Sequence, residues 1–245
     1  MKVCKVLSKR DLRRFIHFPH RLYQGDENYV PSLNIVVKST LSNKNPFLKH
    51  SETALFLAIE NEIVVGRIAA IYNKTHLETY HDNAGFFGFF DAINDISVAK
   101  SLLEACEQWL AEKGIKKMIG PVNLTTNDSC GFLTDGFLSP PMFLMPYNKV
   151  YYNDLCIQSG YEKLIDLHSY KIDTGMSLEK YNNVYLKGLD IMKTNGIKIR
   201  NMSKRTFQKD IEQLRFVYNK ANENNWGFMP LNGEEFKAMA HYCRV

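Results

Sequence analysis

The stretch Gly85-Phe-Phe-Gly-Phe-Phe-Asp91, followed by Ala92-Ile-Asn-Asp-Ile-Ser97 and a helical run to Gly114, holds the residues best disposed for chemistry. Its first part is apolar with glycines, as in a buried strand, and its last part has helical periodicity. A strand that turns directly into a helix aims free backbone N–H groups at an anion above the helix start. Asp95 and Ser97 stand at that start and are also ordinary helix caps, so the unit reads equally as an anion site or a plain helix terminus. His76 and His81, with Asp82, have a spacing that suits neither one helix face nor one strand face, and no metal site is expected. Cys4, Cys106, Cys130, Cys156 and Cys243 are scattered without C-x-x-C spacing and read as reduced, mostly buried thiols. Cys130, before Gly131, has no histidine or basic residue near it in sequence, and reads as a spectator thiol.

The elements that must position these groups follow from pattern. Val3 to Leu7 alternates like an edge strand, and Ser8 caps a helix carrying Leu12, Phe15, Ile16, Leu22 and Tyr23 inward, which Pro19 should end or kink. Tyr29-Val-Pro31 reads as extended, and Asn45-Pro46 as a turn. Ala54–Ile59 and Ile63–Tyr72 flank Glu60-Asn61-Glu62 as a hairpin. After the central strand, a helix presents Ala99, Leu102, Leu103, Cys106, Trp109 and Leu110 inward and stops at Gly114. A short strand, Ile115–Ile119, ends at Gly120-Pro121. Asn123 to Tyr152 is a long loop rich in Asn, Asp, Gly and Pro that also carries large apolar residues, and such loops are commonly functional. Within or beside it, Asn123, Asn127, Asp128 and Tyr147 can hold a polar substrate. Tyr151 to Ser159 reads as a helix and Lys163 to Ile172 as a closing strand.

Composition sets outer bounds. The chain has 245 residues, 45% of them hydrophobic, which is enough for one large or two small domains with a real core. No apolar run approaches the roughly 20 residues that span a bilayer, and the first residues lack the apolar block of a secretion signal. The expected address is the cytoplasm, with no membrane partner. The formal charge of +5 is modest, but Arg10, Arg13, Arg14, His17 and Arg21 fall near one helix face. That face is either solvated or open to a polyanion such as RNA or an acidic protein.

Past Ile172 the chain starts again. Ser177 to Thr194 reads as a bridging helix with Leu178, Tyr181, Tyr185, Leu189 and Met192 on it. Lys198–Arg205 then parallels Val3–Arg10, Tyr218 falls at the offset of Tyr23, and Asn225-Trp-Gly-Phe-Met-Pro230 stands where Asn28-Tyr-Val-Pro31 stood. Asn232 with Glu235 forms a capping box for a last helix with Phe236, Met239, Ala240 and Cys243 inward. The expected organisation is a first domain over 1–173, a helical bridge over 174–197, and over 198–245 the first strand and helices of a second, similar unit without its central sheet. That organisation is either a fragment of a two-domain protein or a second copy supported by the first.

The order strand, helix pair, hairpin, central strand, turn and helix, strand, helix, strand resembles the GNAT N-acetyltransferase superfamily over residues 1 to about 172. The phrases Phe18-Pro-His-Arg-Leu-Tyr23, Asn45-Pro-Phe47, Val65-Gly-Arg-Ile-Ala-Ala70, Gly85-Phe-Phe-Gly-Phe-Phe90, Gly120-Pro-Val-Asn123 and Met145-Pro-Tyr-Asn148 resemble, as a set, a bacterial branch with two tandem GNAT-like domains. The resemblance implies an α/β fold with a mixed central sheet flanked by helices, and transfer of an acyl group from acetyl-CoA or another acyl-CoA to a small-molecule or peptide amine. It implies that the pantetheine arm of the donor inserts beside the central strand, near Phe89 and Phe90, and that the diphosphate meets a turn of pattern Q/R-x-x-G-x-G/A. The matching positions are Asn94, Ser97 and Ala99, of which Asn94 and Ser97 depart from the pattern, and Asp95 adds a carboxylate where the anion would sit. This is a degenerate cofactor turn. The tyrosine that protonates the leaving thiolate in such enzymes is replaced by Cys156, leaving Tyr151 or Tyr152 to substitute, and Asp91 is the carboxylate placed to act as base. Two other classes fit the same residues: a non-catalytic scaffold whose cleft is filled by phenylalanines, and a transferase using aminoacyl-tRNA, which the basic helix face would meet.

Overall fold

A computed structural model describes residues 1–170, 179–201, 203 and 205–242. Five strands form one mixed sheet in sequence order: β1 (Lys2–Lys5), β2 (Glu52–Glu60), β3 (Ile63–Tyr72), β4 (Ala84–Ala92) and β5 (Lys117–Ile119). The first four are antiparallel neighbours, and β5 runs parallel to β4. Eight α-helices accompany them among the described residues: α1 (Lys9–Leu22), α2 (Asn34–Thr40), α3 (Lys74–Tyr80), α4 (Ile96–Ala111), α5 (Tyr152–Gln158), α6 (Glu179–Thr194), α7 (Phe207–Asn222) and α8 (Gly233–Tyr242).

The hairpin forms as its pattern requires, with Asn61 and Glu62 both at positive φ in the two-residue turn that matches strand twist. Ser8 caps α1 by accepting the Asp11 N–H at 3.0 Å. Pro19 does not end that helix: it is buried within it, and the backbone bond from Tyr23 N–H to the Pro19 carbonyl carries the helix on to Leu22. Helix α2 supplies the second member of the expected helix pair, and α3 is a helix that the sequence reading did not place. The closing strand over 163–172 is also corrected. Residues 163–170 pair with no strand, and Leu164, Ile165, Leu167 and Tyr170 are exposed. Lys171, Ile172, Ser177, Leu178 and Cys243 lie outside the described residues.

The main core lies between the sheet and α4, whose Val98, Ala99, Leu102, Leu103, Cys106 and Leu110 are buried on β2, β3 and β4. The opposite face of the sheet is covered by α1 through Phe15 and Phe18. The central strand carries one residue more than β3 between the pairs Arg67–Asp91 and Ala69–Gly88, with Phe89 at φ 49. This bulge breaks the two-residue alternation, so Phe87 and Phe90 both join the α4-side core while Phe86 and Phe89 pack on the other face. Gly88 is required there: a Cβ on it would lie 2.0 Å from the Val122 carbonyl oxygen, where the chain leaving β5 crosses the strand.

Residues 198–201 form no strand. Helices α7 and α8 pack through Tyr218, Phe228 and Phe236, and the capping box holds, with Asn232 N–H donating to Glu235 and Asn232 Oδ1 accepting from Glu235 N–H. This pair docks on the sheet-bearing part of the chain. Tyr80 donates to the Phe228 carbonyl at 2.8 Å, Asn127 to that of Met229 at 2.7 Å, and Glu234 and Glu235 meet Lys49 and His50 at 2.6 and 2.8 Å.

Candidate active site

The parallel pairing of β4 with β5 lasts three residues and ends at Phe86–Ile119. One further bond, Val122 N–H to the Phe87 carbonyl at 2.7 Å, keeps the chain alongside, and beyond it β4 has no strand on that side among the described residues. Backbone groups so exposed need partners. Side chains supply them: Asn123 Oδ1 accepts the Phe89 N–H at 2.8 Å, the Tyr152 hydroxyl accepts the Ala92 N–H at 3.2 Å, and the Tyr151 hydroxyl donates to the Ala92 carbonyl at 2.8 Å.

Asp91 sits at the centre of this edge. Directly across in register is Arg67, a charged residue in an otherwise apolar strand, whose Nε and Nη2 both reach Asp91 Oδ2 at 2.8 Å. Arg67 also donates to the Phe15 carbonyl at 2.9 Å, and its guanidinium lies 5.0 Å from the Phe15 ring centroid. The other carboxylate oxygen takes the Tyr152 hydroxyl at 3.0 Å, and the Tyr23 hydroxyl lies 3.2 Å from it and 3.3 Å from that of Tyr152. Tyr23 arrives from the end of α1 and Tyr152 from the start of α5, so the two phenols meet over the carboxylate from opposite sides of the sheet. Tyr29 stacks on Tyr23 at 4.2 Å, and Tyr147 lies at 6.0 Å from Tyr23 while donating to Asp26 at 2.8 Å. Lys149 completes the rim, 2.9 Å from Asp26 and 4.6 Å over the Tyr23 ring.

Burial, then the Asp91 charge, raises the proton affinity of Tyr152 and Tyr23 well above the usual phenol range. The same two causes push Tyr151 and Tyr29 up to about 12. These hydroxyls keep their protons at neutral pH and can donate them. Burial alone would push the Asp26 carboxyl up, but the hydrogen bonds of Lys149 and Tyr147 bring it below its ordinary value.

The expected site residues divide. Asp91 and Tyr152 are in contact, Phe90 lies 5.1 Å from the Tyr152 ring, and Tyr147 joins through Tyr23. Phe89 packs against Phe15 on the other face, and Asn123 is bound to its backbone. Asn127 is engaged with Met229 instead. Asn94 is exposed, and Ala99 is wholly buried in the core. Ser97 N–H and hydroxyl both donate to Asp95 Oδ1 at 2.7 Å, which holds the Asp95 carboxyl below its usual value. A diphosphate at the start of α4 meets this carboxylate, and the turn does not fit it. Burial pushes the Cys130 and Cys156 thiols up, the latter to about 12. His76 binds Asp82 at 3.0 Å, and no metal-binding group occurs among the described residues. Arg67, Tyr23, Tyr29 and Lys149 were not singled out from sequence; an arginine inside Val64–Tyr72 is the signal that points to a buried acidic partner.

No protein-family model matches the chain. It is 36% identical over 234 residues to protein YghO of Escherichia coli, covering 95% of this chain and 59% of that protein. It is 35% identical over 243 residues to a bacterial ceramide synthase of Caulobacter vibrioides, covering 98% of this chain and 62% of that protein. The chain thus spans about three fifths of the length of these curated relatives. Among solved structures, an aminoglycoside acetyltransferase from an uncultured soil metagenomic sample, in complex with sisomicin, aligns at TM-score 0.40 and 15% identity over 70% of this chain and 96% of that one. A predicted acetyltransferase with acetyl-CoA from Clostridium acetobutylicum aligns at 0.42 and 12%, over 69% and 95%. No helix among the described residues is long and apolar enough to cross a membrane. The element order, the bulged central strand and its early parting from β5 give this chain a mixed α/β fold with helices on both faces of the sheet.

Proposed function

We propose that this chain belongs to an acyl-CoA-dependent N-acyltransferase whose acceptor is the amino group of a long-chain base. Similarity to a bacterial ceramide synthase over 98% of the chain supports the acceptor class, because a ceramide is the amide of a fatty acid with a long-chain amino alcohol. The observation that carries the reading is the Asp91 cluster at the point where β4 loses its neighbour. In the reaction the amine nitrogen bonds to the thioester carbonyl carbon, the carbon–sulfur bond breaks, the nitrogen gives up a proton and the departing thiolate takes one. Tyr151 and Tyr152 hold protons at neutral pH and suit the acid side of that exchange. Both carboxylate oxygens of Asp91 are already engaged by Arg67 and two phenols, and its role in this reading is to position Tyr152. In this reading Tyr147 faces the acceptor, while Asn123, bound to the Phe89 N–H, holds the β4 edge.

The test is amide formation from palmitoyl-CoA and a detergent-dispersed long-chain amino alcohol, read by mass spectrometry, with this chain and with the chain joined to the remainder that its relatives carry. The expected result is amine-dependent product, lost more than tenfold in kcat in Tyr152→Phe with KM little changed. Product formation equal in wild type and in Tyr152→Phe would remove the cluster from the chemistry. No product from either version would sink the reading as a whole.

The Asp95 cap favours a second reading, in which α7 and α8 begin a second GNAT-like unit and the first domain supports it. Calorimetry with acyl-CoA separates the two: binding only by the longer version assigns the donor to the second unit, and binding by this chain assigns it to the first domain.

A further inference from the structure

Several large apolar side chains are left in solvent on two segments that polar bonds tie together. In the long loop Leu138 is 95%, Phe143 89% and Met142 78% exposed, and at the start of α2 Ile35 is 76% and Leu33 69% exposed. The two segments belong to one edge because polar ties join them: Asn28 Nδ2 donates to the Phe137 carbonyl at 3.3 Å, Tyr147 and Lys149 both hold Asp26, and His20 meets Asn34 at 2.7 Å. Leu138 follows one tie directly, and Leu33 precedes another. Exposed apolar residues on two such neighbouring segments mark a contact with something apolar.

Charge identifies what that is. The outward side of α1, which carries α2 through the His20–Asn34 bond, presents Arg10, Arg13 and His17 to solvent, and Lys38 is exposed on α2 itself. Of the other arginines of this helix, Arg14 and Arg21 are turned onto the Glu62 and Val64 carbonyls. Asp26 is neutralised by Lys149 and Asp11 faces Arg14, which leaves Glu27 and, within the loop itself, Asp135 as exposed acids. Projecting apolar residues beside unpaired cations are the chemistry of an anionic bilayer surface, into which the apolar groups insert while the cations meet lipid headgroups. A polyanion such as RNA would use the cations and leave Phe143 and Leu138 in water.

We propose that this edge docks on an anionic membrane surface, with the 138–145 loop and the start of α2 inserted. Tyr147 and Tyr29 connect the same edge to Tyr23 and Asp91, so docking sets the mouth of the Asp91 cluster at the lipid interface. This last step rests on the long-chain acceptor proposed above; the docking itself rests on the exposed residues alone.

The experiment is co-sedimentation of the chain with vesicles of phosphatidylcholine alone or with phosphatidylglycerol added, in the absence of acyl-CoA and amine. Wild type should bind the anionic vesicles, weaken as salt is raised, and bind neutral vesicles poorly. Leu138→Asp with Phe143→Asp should lose at least tenfold in binding, and Arg13→Glu about fivefold or more for the lost charge. Both changes are at exposed positions, and an unchanged melting curve verifies the fold. Equal sedimentation of wild type and the double variant overturns the proposal. So does self-association of the wild type in gel filtration that the double variant abolishes without any vesicle binding, because the occupant is then a second copy. Vesicle binding with no amide formation leaves docking standing and removes the acceptor reading; amide formation without vesicle binding does the reverse.

Discussion

Replacing Arg67 by methionine should be among the most damaging single changes in the first domain. Its side chain is 11% exposed and that of Asp91 10%, so the substitution strands a buried carboxylate whose remaining partners are two phenols. Breaking a buried pair from one side costs about 3–5 kcal/mol, because the partner's charge stays desolvated. The Phe15 carbonyl also loses its donor, and the Phe15 ring its cation. For a chain of this length each kcal/mol lowers the melting midpoint by about 2–4 °C, so a drop on the order of 10 °C is expected. The diagnostic step is the double variant Arg67→Met with Asp91→Leu. Removing both charges relieves the uncompensated carboxylate, so the double variant should be more stable than Arg67→Met alone by at least about 1 kcal/mol. The assay is urea unfolding followed by tryptophan fluorescence from Trp109 and Trp226. If Arg67→Met costs under about 1 kcal/mol, or if the two single effects simply add, the pair does not act as a desolvated unit and Asp91 is not the buried charge that Arg67 compensates.

Four shorter expectations follow from the same geometry. Gly88→Ala should destabilise strongly, since the added carbon meets backbone at Val122 and not a movable side chain; wild-type melting would show that the crossing is loose. Asp95→Asn keeps a capping oxygen and removes the charge above α4, so acyl-CoA affinity by calorimetry should rise about two- to fivefold, and an unchanged affinity would mean the diphosphate does not approach this turn. Asp210 is held by Arg200 and Thr206, chiefly by the Arg200 hydrogen bonds, which lower its pKa to about 2. Being depressed, it contributes stability that is present above pH ~4, its unfolded range, and is lost as pH falls through about 2; Asp210→Asn should flatten that part of the acid unfolding curve. His50→Ala removes a partner of Glu235 and should speed amide hydrogen exchange in α8 while leaving α4 unchanged, whereas equal exchange in both variants would show α8 is held by Phe236 alone.

The parts of the fold legible in sequence are those where one local rule dominates. The Asn61–Glu62 hairpin, the Ser8 cap, the α4 stripe and the Asn232–Glu235 box each depend on a few adjacent residues. Helix α3 escaped because it is seven residues long, too short for a clear period, although Asn73 accepting the His76 N–H is the kind of cap that marks a start. The strand expected over 163–172 had the right composition, but its described part has no neighbour to pair with, and composition does not supply one. The site was half legible. Asp91 and Tyr152 could be singled out because each stands at an element boundary, whereas Tyr23 and Arg67 reach Asp91 across 68 and 24 residues and only the bulge at Phe89 decides which face they meet on. That extra residue sets the register of everything after it, and a one-residue shift exchanges the two faces of a strand.

The two halves of the candidate donor site are closed in physically different ways, and only one closure is easily exchanged. Along β4, Asn123, Tyr151 and Tyr152 satisfy the strand with neutral hydrogen bonds. An incoming amide-bearing chain that displaces them offers the same donors and acceptors, so each exchange is worth only about 1 kcal/mol in either direction. At the start of α4 the closure is a full charge, and a diphosphate has nothing to exchange for it; the Asp95 carboxylate must move aside or the two anions repel. The strand half therefore retains the capacity to hold an extended polar arm, while the helix half has lost the means of holding its phosphates. An arm held without its phosphates binds weakly unless the acyl chain it carries adds apolar contacts of its own. Weak binding of free coenzyme A, with much tighter binding of its long-chain thioesters, is the outcome this division requires; equal affinity for the two would place the recognition back on the phosphates and overturn it.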